Sequence, residues 1–381
     1  MPPTALIDTT QHSPQAGPES VVAGLSLVER TLRLARVCGC AQAVVVALER
    51  DLEAVQRIVA AHRYAFAIQI SVSPTTDAAD IRQAALSVFE APAASFVWLH
   101  SSAIYDRGHV KACIRDATPD GPDCICDADP IATDDDARQA AARLWAGCRK
   151  PEDGIVSRHL NRHISLAISR AIAHTAITPN HISIVTFTLG IVAAVFAAWG
   201  DYTGFLIGAL LYQINSVVDG VDGELARVKY EFSLLGEWLD TLSDDFSDLF
   251  FYIGLGVGAW RTVPIDIFGI DARLWLVLGG VAALAKLLSM ALYYRWLIAH
   301  KRGDLLAFQW SFETEAGTEP GVLDRVLHYV RYLFRKDFIV FASMILAILG
   351  LLPWFLVLFA VGNLIVFISV AVQQLGQSSG R

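Results

Sequence analysis

Long runs without formal charge occupy the chain beyond residue 180, and they constrain its fold more than any other feature. The runs with at most one charged residue are His181–Trp199, Thr203–Val218, Leu274–Tyr294 and Phe338–Gly376. A helix that crosses a bilayer needs about 20 apolar residues, so the last run, interrupted by Gly350 and Pro353, predicts two helices joined by a tight turn. Leu234–Trp260 is acidic at its start and apolar at its end, and it predicts a further span. The sequence therefore predicts an α-helical integral membrane protein with six transmembrane helices.

The distribution of charge gives this predicted bundle an orientation. The chain does not begin with a basic segment followed by an apolar one, so we expect no signal peptide and a cytosolic amino-terminal domain. The basic residues after the fourth predicted span are Lys301, Arg302, Arg325, Arg331, Arg335 and Lys336. Only Arg261 and Arg273 lie in the loops on the other side, so the positive-inside rule predicts a cytoplasmic active site and cytoplasmic amino and carboxy termini. The net charge of −8 gives no indication of nucleic acid binding.

Residues 1–150 differ from the rest and predict separate segments. Residues 1–20, rich in Pro, Thr, Gln and Ser, predict a disordered tail. Over residues 21–150 apolar runs alternate with amphipathic ones, which is typical of a mostly parallel α/β sheet. The predicted strands are Ala41–Leu48, Ala65–Val72 and Ser95–Leu99, and the predicted helices are Leu52–His62, Ala78–Phe89 and Asp134–Leu144. No glycine-rich phosphate-binding motif follows the first predicted strand.

All the cysteines of the chain lie in this amino-terminal part. They are Cys38, Cys40, Cys113, Cys124, Cys126 and Cys148. In the cytoplasm their thiols stay reduced. Two Cys-x-Cys pairs are present, but structural zinc sites usually separate neighbouring ligands by two to four residues. We therefore interpret these cysteines as small buried apolar residues rather than zinc ligands.

The segment that carries chemistry begins where the second predicted span ends. It follows the pattern D-x₂-D-G-x₂-A-R-x₈-G-x₃-D-x₃-D, with the fixed residues Asp219, Asp222, Gly223, Ala226, Arg227, Gly236, Asp240 and Asp244. The first two aspartates are i, i+3 neighbours on one predicted helix, and the last two are i, i+4 neighbours on the next. If these helices pack antiparallel, four carboxylates converge at one depth, just inside the cytoplasmic boundary.

Four clustered carboxylates at membrane depth need compensation. One aspartate at the centre of a membrane helix costs about 2.5–3.5 kcal/mol, and neighbouring carboxylates also repel one another. Two Mg²⁺ or Mn²⁺ ions, which prefer hard oxygen ligands, would remove both penalties. A pair of such ions clamps the attacking and leaving oxygens at phosphorus. The small residues of the motif leave room for a substrate beside the backbone, and Arg227 can pair with a phosphate bidentately.

At all eight fixed positions this region resembles the CDP-alcohol phosphotransferase family, and the resemblance covers about residues 150–376. It implies that the four aspartates bind two metal ions and that Asp244 is also the catalytic base for the acceptor hydroxyl. It implies CDP contacts from Gly223, Ala226, Arg227, Ser233, Gly236, Asn180 and Ser183. It divides the remaining chain into a juxtamembrane amphipathic helix at 151–178 and a catalytic domain of six helices at 179–376. Homodimers are common in this family.

The amino-terminal domain resembles nucleotidyltransferase-like domains that are fused to inositol-phosphate-handling membrane enzymes. This resemblance rests on the general layout and on the junction Cys126–Ile131 followed by Lys150–Arg158. Because the glycine-rich signature of that class is missing, we interpret the domain as a degenerate relative with a regulatory or structural role.

The implied reaction is transfer of a phosphoalcohol group from a CDP-alcohol to an acceptor hydroxyl, with release of CMP. The donor is CDP-diacylglycerol or, as the alternative, a soluble CDP-inositol. The acceptor is left open among inositol, inositol phosphate, glycerol phosphate and serine. A more remote alternative is an ion or proton transporter lined by aspartates, but the sequence contains no second copy of the motif.

Several charged residues outside the motif have two interpretations each. In the amphipathic stretch Ser157–His174, Arg158 and Arg162 predict either an anchor for lipid headgroups or a guide for a phosphorylated acceptor. Lys286 is too far from the end of its helix to reach water easily. It therefore predicts a partner inside the bundle, which is either an acidic residue (Asp245 or Asp248) or an anionic substrate. Glu224 and Glu237 are interpreted as solvated or interfacial.

Overall fold

The computed structural model describes residues 3–13, 16–61, 66–88, 96–116, 123–126, 128–150, 153–263, 271–303 and 335–379. The chain divides into two compact units. The first unit contains Met1–Cys148 together with Arg170–Ala176 and Leu225–Phe232. The second unit contains Arg149–Ser169, Ile177–Glu224 and Ser233–Arg381.

The first unit is built on a parallel sheet with helices between its strands. The strands are β1 (Thr4–Asp8), β2 (Val21–Val22), β3 (Leu25–Ser26), β4 (Gln42–Leu48), β5 (Ala67–Ser73), β6 (Phe96–His100), β7 (Ala103–Ile104), β8 (Cys124–Ile125) and β9 (Asp129–Pro130). The helices are α1 (Leu27–Cys38), α2 (Leu52–Ala61), α3 (Ala78–Leu86), α4 (Arg107–Asp116) and α5 (Asp134–Ala146). The sheet order is β5-β4-β1-β6-β8, and every described pair in it is parallel. The predicted parallel α/β sheet is thus confirmed, with strand ends shifted by one or two residues.

Strand β1 corrects the prediction that residues 1–20 form a disordered tail. All five of its residues are buried, and it pairs with β4 on one side and with β6 on the other. A central parallel strand is covered on both faces, so its sequence is a short apolar run without alternation. The run here is only Ala5–Ile7 within a stretch rich in Pro, Thr and Gln, and this surrounding composition hid it.

The carboxyl ends of β1 and β6 meet where the strand order reverses, which is where ligands bind in open α/β sheets. Asp8 lies at this position, and its Oδ1 accepts hydrogen bonds from the backbone N–H (2.8 Å) and the hydroxyl (2.7 Å) of Thr10. His100 Nδ1 lies 3.0 Å from Asp8 Oδ2. Burial raises the pKa of Asp8, but His100 and Thr10 outweigh that effect and hold the pKa below its ordinary value. In this crevice the carboxylate of Asp8 is already bound by Thr10 and His100, and no glycine-rich loop follows β1.

The second unit is helical. Its elements are a π-helical turn (Ser157–Asn161), α6 (Arg162–Ile172), α7 (Pro179–Trp199), α8 (Tyr202–Lys229), α9 (Leu234–Thr262), α10 (Arg273–Ala299), α11 (Lys336–Ile348) and α12 (Leu352–Ser379). Helix α9 packs against α7 and α10, and α10 packs against α12. Small residues allow this: a Cβ at Gly254 would lie 2.3 Å from the carbonyl oxygen of Ala194. The predicted pair of helices joined by a tight turn is confirmed, because Gly350 adopts a left-handed φ of 72° between α11 and α12.

Within the described ranges, four helices are long and apolar enough to cross a membrane. They are α7, α8, α10 and the Leu352–Val372 part of α12. Helix α9 is continuous, as predicted, but its first half carries the aspartates. Helix α11 has 13 residues and is about 20 Å long at 1.5 Å per residue, shorter than a bilayer core of about 30 Å. The count of six spans therefore stays a prediction.

The predicted amphipathic helix before the first span forms as the π-helical turn followed by α6. Its apolar residues Leu160 and Ile164 are 38% and 44% exposed. Its buried face is polar and includes Asn161, Ser165 and Ser169. An exposed apolar stripe beside basic residues is typical of a helix that lies on a membrane surface.

Candidate active site

Three of the four motif aspartates come together between α8 and α9. One carboxylate oxygen each of Asp219, Asp222 and Asp240 lies within 4.8 Å of the others. The spacing explains this, because i, i+3 positions on α8 share a face that meets one stripe of α9. The predicted convergence is therefore found for these three residues.

The buried oxygen atoms of this cluster test whether a cation fits it. Asp222 is 5% exposed, and its Oδ2 accepts a hydrogen bond from the Ser183 hydroxyl at 2.8 Å. The backbone N–H of Gly223 donates to its Oδ1. Asp219 Oδ1, by contrast, is buried and has no hydrogen-bond partner in the described part of the chain. A buried carboxylate oxygen without a donor is costly, and a cation between three such groups would satisfy it. The residues fit a divalent metal ion.

The residues predicted to contact CDP fall into two places. Ser233 caps the start of α9, where its Oγ accepts the backbone N–H of Gly236 at 3.0 Å. A Cβ at Gly236 would lie 3.0 Å from Asn180 Oδ1, so a larger residue here would require the Asn180 side chain to shift by a few tenths of an ångström. Asn180 and Ser233 therefore lie at the start of α9, whereas Ser183, one turn further along α7, donates to Asp222 of α8. Ala226 and Arg227 belong to the first unit.

Arg227 lines a cavity of about 480 Å³ within the first unit. Other residues that line this cavity are Arg107, Arg143, Tyr105, Tyr230 and Phe232. The guanidinium of Arg107 lies over the Phe232 ring, 4.5 Å from its centroid. Tyr230 is buried in the core of the first unit, beside the sheet.

Asp244 is engaged differently from the other motif aspartates. Its Oδ1 lies 2.9 Å from Lys336 Nζ, at the start of α11. The same ammonium lies 3.3 Å from Asp248 Oδ1. The sequence predicted Lys336, with Arg331 and Arg335, to be a headgroup anchor or a guide for a phosphorylated substrate, and it did not indicate contact with Asp244. Its position on a distant segment of the chain gave no local signal.

Lys286 contacts two acidic residues of the bundle, which was one of the two predictions made for it. Its Nζ lies 2.7 Å from Asp245 Oδ1 and 3.1 Å from Asp248 Oδ2. The hydroxyls of Tyr293 and Tyr294 also donate to Asp245, and Tyr212 donates to Asp248 at 2.6 Å. Asp245 and Asp248 are 4% and 5% exposed. Both of these contacts are counter-ions within the bundle, which favours the structural interpretation of Lys286 over binding of the acceptor.

Arg162 is likewise held by acidic residues rather than presented to a substrate. Its Nε and Nη2 each donate to Asp153 at 3.0 Å, and its Nη1 donates to Glu224 at 2.9 Å. Glu224 is fully buried and also accepts from the hydroxyls of Ser165 and Ser169, both at 2.6 Å. The burial of Glu224 corrects its interpretation as a solvated residue. The ion pairs of Arg162 favour a structural role over its predicted contact with the acceptor. Arg158 is exposed, and it stays a candidate for guiding a phosphorylated acceptor or for anchoring lipid headgroups. Arg325 and Arg331, two of the basic residues after the fourth predicted span, lie outside the described residues.

Arg162→Met is expected to destabilise the second unit by about 3–5 kcal/mol, because it leaves two buried carboxylates without their partner. Chemical denaturation in detergent measures this, with the exposed Arg158→Met as the control, for which we expect a change below about 0.5 kcal/mol. Burial raises the pKa of Asp153, but the ion pair with Arg162 outweighs it and lowers the pKa. The stabilisation by Asp153 is thus present at neutral pH and is lost only as the pH falls below about 3.9. Equal stability of the two variants at pH 7 would contradict the network.

Residues 176–312 match the sequence model of a family described as CDP-alcohol phosphatidyltransferase. A bifunctional IPC transferase and DIPP synthase of Thermococcus kodakarensis is 40% identical over 125 residues, which are 33% of this chain and 27% of that protein. The archaetidylinositol phosphate synthase of Pyrococcus horikoshii is 27% identical over 109 residues, which are 27% of this chain and 54% of that protein. The chain thus spans between about a quarter and about a half of these curated relatives.

Among solved structures, the chain is similar to the phosphatidylinositol phosphate synthase of Mycobacterium tuberculosis, which was crystallised with manganese and citrate. The two share 18% sequence identity with a TM-score of 0.38. The similarity covers 56% of this chain and 87% of that chain.

Proposed function

We propose that this chain, whose residues 176–312 match the CDP-alcohol phosphatidyltransferase family, is a membrane enzyme that transfers a phosphoalcohol group from a CDP-alcohol to an acceptor hydroxyl and releases CMP. The observation that carries the proposal is the aspartate cluster of Asp219, Asp222 and Asp240, which holds a buried carboxylate oxygen without a donor. An ion transporter with the same aspartates would not need the full motif, including its small residues and its arginine.

Asp219, Asp222 and Asp240, with Asp244 as the fourth ligand, would hold the divalent ions. Two such ions would supply positive charge to the phosphate oxygens as the transfer proceeds. Ser183 fixes the orientation of Asp222 by its hydrogen bond. Gly223 and Gly236 carry no side chain, so the cytidine diphosphate part of the donor would approach the backbone there. The side chains of Asn180 and Ser233 lie beside Gly236.

The chain's own residues account for the proton and the leaving group. The acceptor oxygen forms a bond to the phosphorus that carries the alcohol, and the bond from this phosphorus to the bridging oxygen breaks, so that CMP leaves. Asp244 takes the proton of the acceptor hydroxyl. Lys336 lies 2.9 Å from Asp244 and balances its charge. The resemblance assigns a donor phosphate to Arg227, and this contact stays a prediction.

The substrates are part of the proposal. One relative is named archaetidylinositol phosphate synthase, which supports an inositol phosphate acceptor over free inositol, glycerol phosphate or serine. The exposed apolar stripe of α6 and the spanning helices favour a lipid donor such as CDP-diacylglycerol, with CDP-inositol as the alternative. Six spans, a cytoplasmic active site, cytoplasmic termini, a homodimer and the choice between Mg²⁺ and Mn²⁺ stay predictions.

The test is CMP release by the purified full chain in detergent. CDP-diacylglycerol and CDP-inositol are each combined with inositol phosphate and with the other acceptors, in the presence of Mg²⁺, Mn²⁺ or a chelator. We expect CMP release only with a divalent ion, and fastest with the lipid donor and inositol phosphate. Release that is unchanged in chelator would contradict the metal-dependent mechanism, and release with CDP-inositol alone would reverse the choice of donor.

The full chain is expected not to make a CDP-alcohol from CTP and inositol phosphate. The reason is that Asp8 at the sheet edge is engaged by Thr10 and His100, and no glycine-rich loop follows β1. Pyrophosphate release from CTP measures this, and it should stay at the level of a protein-free control. The full chain is needed, because the core of the first unit includes Tyr230 and would be incomplete in a fragment that ends near residue 150.

A further inference from the structure

Three cysteines of the first unit meet at one point. Cys113 comes from α4, Cys124 lies on β8, and Cys126 follows two residues later. Their sulfur atoms all lie within 4.8 Å of one another. We propose that these three thiolates bind one thiophilic metal ion, Zn²⁺ in the first instance. The ligands of this site are distinct from the aspartates, which favour hard cations.

The local geometry explains why a Cys-x-Cys spacing works here. On a strand, residues i and i+2 point to the same face. Ile125, between the two cysteines, is 65% exposed, whereas Cys126 is 3% exposed, so the chain alternates at this point. Helix α4 contacts β8 and brings Cys113 to the shared inner face. Structural zinc sites usually separate neighbouring ligands by two to four residues, but on a strand the i, i+2 spacing already places two thiols on one face.

The dimensions suit a metal ion that is reached from the surface. With a zinc–sulfur distance of about 2.3 Å, the sulfurs of a tetrahedral site lie about 3.8 Å apart, so small side-chain rotations close the observed group. Cys113 and Cys124 are half-buried, and Cys126 is buried. In the residues that the structure describes, no histidine, carboxylate or fourth cysteine completes the group. A tetrahedral ion would take its fourth ligand from outside this group.

The other cysteines provide a matched comparison. Cys38 ends α1, and Cys40 follows Gly39, whose φ of 107° turns the chain between them. The Cys38 sulfur donates to the carbonyl oxygen of Arg107, and the Cys148 sulfur donates to that of Leu144. Across the described ranges, none of these three belongs to a metal-binding group. A substitution of all three by serine removes as many thiols without touching the proposed site.

Binding of the metal ion would release protons from the cysteine thiols and would connect β8 to α4. Each coordinating thiol gives its proton to solvent, so affinity should fall as the pH decreases. Strand β8 has two residues and lies at the edge of the sheet, paired only with β6 in the described part. A metal ion held by Cys113 and by the two strand cysteines would fasten this edge to α4. Because the ion binds the folded state, Zn²⁺ should raise the melting temperature of the first unit.

The experiment uses the full chain, reduced and stripped of metal, with excess Mg²⁺ present to occupy the aspartates. Zn²⁺ is added, free ion is removed, and bound zinc is counted by mass spectrometry. Co²⁺ is the optical probe, since thiolate ligation gives a charge-transfer band. We expect one Zn²⁺ per chain and a thiolate–Co²⁺ band. Both should be lost in Cys113→Ser/Cys124→Ser/Cys126→Ser and kept in Cys38→Ser/Cys40→Ser/Cys148→Ser.

Two further measurements keep the proposal falsifiable if the triple variant folds poorly. Zn²⁺ should slow maleimide labelling of three thiols in the native chain, and a chelator should restore it. The single variant Cys124→Ser, at a half-buried position, should bind Zn²⁺ at least about tenfold more weakly. The absence of a thiolate band, equal losses in the control variant, or a disulfide within the cluster that Zn²⁺ does not prevent would each overturn the proposal.

Discussion

Asp240→Asn is expected to lower CMP release by at least about a hundredfold while the protein stays folded. The substitution keeps the size of the side chain but replaces a charged metal ligand with a neutral amide. A bound metal ion contributes several kcal/mol to charge stabilisation in the transition state, and each 1.36 kcal/mol is a factor of ten in rate. Folding should be retained, since the change also removes one of three carboxylates that repel one another within 4.8 Å.

The measurements are CMP release over a series of Mn²⁺ concentrations and the melting temperature in detergent. Metal affinity and turnover should fall together in Asp240→Asn. The matched control is Asp271→Asn, the same chemical change at an exposed residue of the second unit that pairs only with the nearby Arg273 in the described structure. Near-normal activity of Asp240→Asn, or an equal loss in Asp271→Asn, would rule out the proposed metal ligand.

Lys286→Met is expected to destabilise the helical bundle by about 3–5 kcal/mol, with most of the protein lost from the folded fraction. The substitution leaves Asp245 and Asp248, both buried, without the ammonium that lies 2.7 Å and 3.1 Å from them. Removing one partner of a buried ion pair leaves an uncompensated charge, and at membrane depth water cannot solvate it. The folded yield after extraction and the melting temperature in detergent measure the effect.

A second substitution separates this structural role from binding of a substrate. Lys286→Met with Asp245→Asn should recover a large part of the lost stability, because it removes a charge that the first change leaves unpaired. The control for the lysine substitution is Lys301→Met, at an exposed position after the same helix. If Lys286→Met instead folds normally and raises the KM for inositol phosphate alone, then Lys286 binds the acceptor and the counter-ion interpretation is wrong.

The amino-acid sequence by itself determined the elements that depend on local pattern. Runs of about 20 residues with at most one charge predicted α7 and α10, because an apolar run of that length is typical of a membrane-spanning helix. The interruption at Gly350 predicted the turn between the last two helices. The local pattern of apolar and polar residues also predicted the strands β4, β5 and β6 and the helix α5. The convergence of Asp219, Asp222 and Asp240 also followed from spacing, because helix geometry fixes which residues share a face.

Tertiary structure decided the identity of partners. The apolar run of β1, Ala5–Ile7, is too short to predict a strand in a segment rich in Pro and Thr, and only its pairing with β4 and β6 makes it central. Lys336 reaches Asp244 from a helix some ninety residues further along the chain. Charges predict that a counter-ion must exist, since burying an unpaired charge is costly. They do not say which residue supplies it, because that choice depends on how distant segments pack.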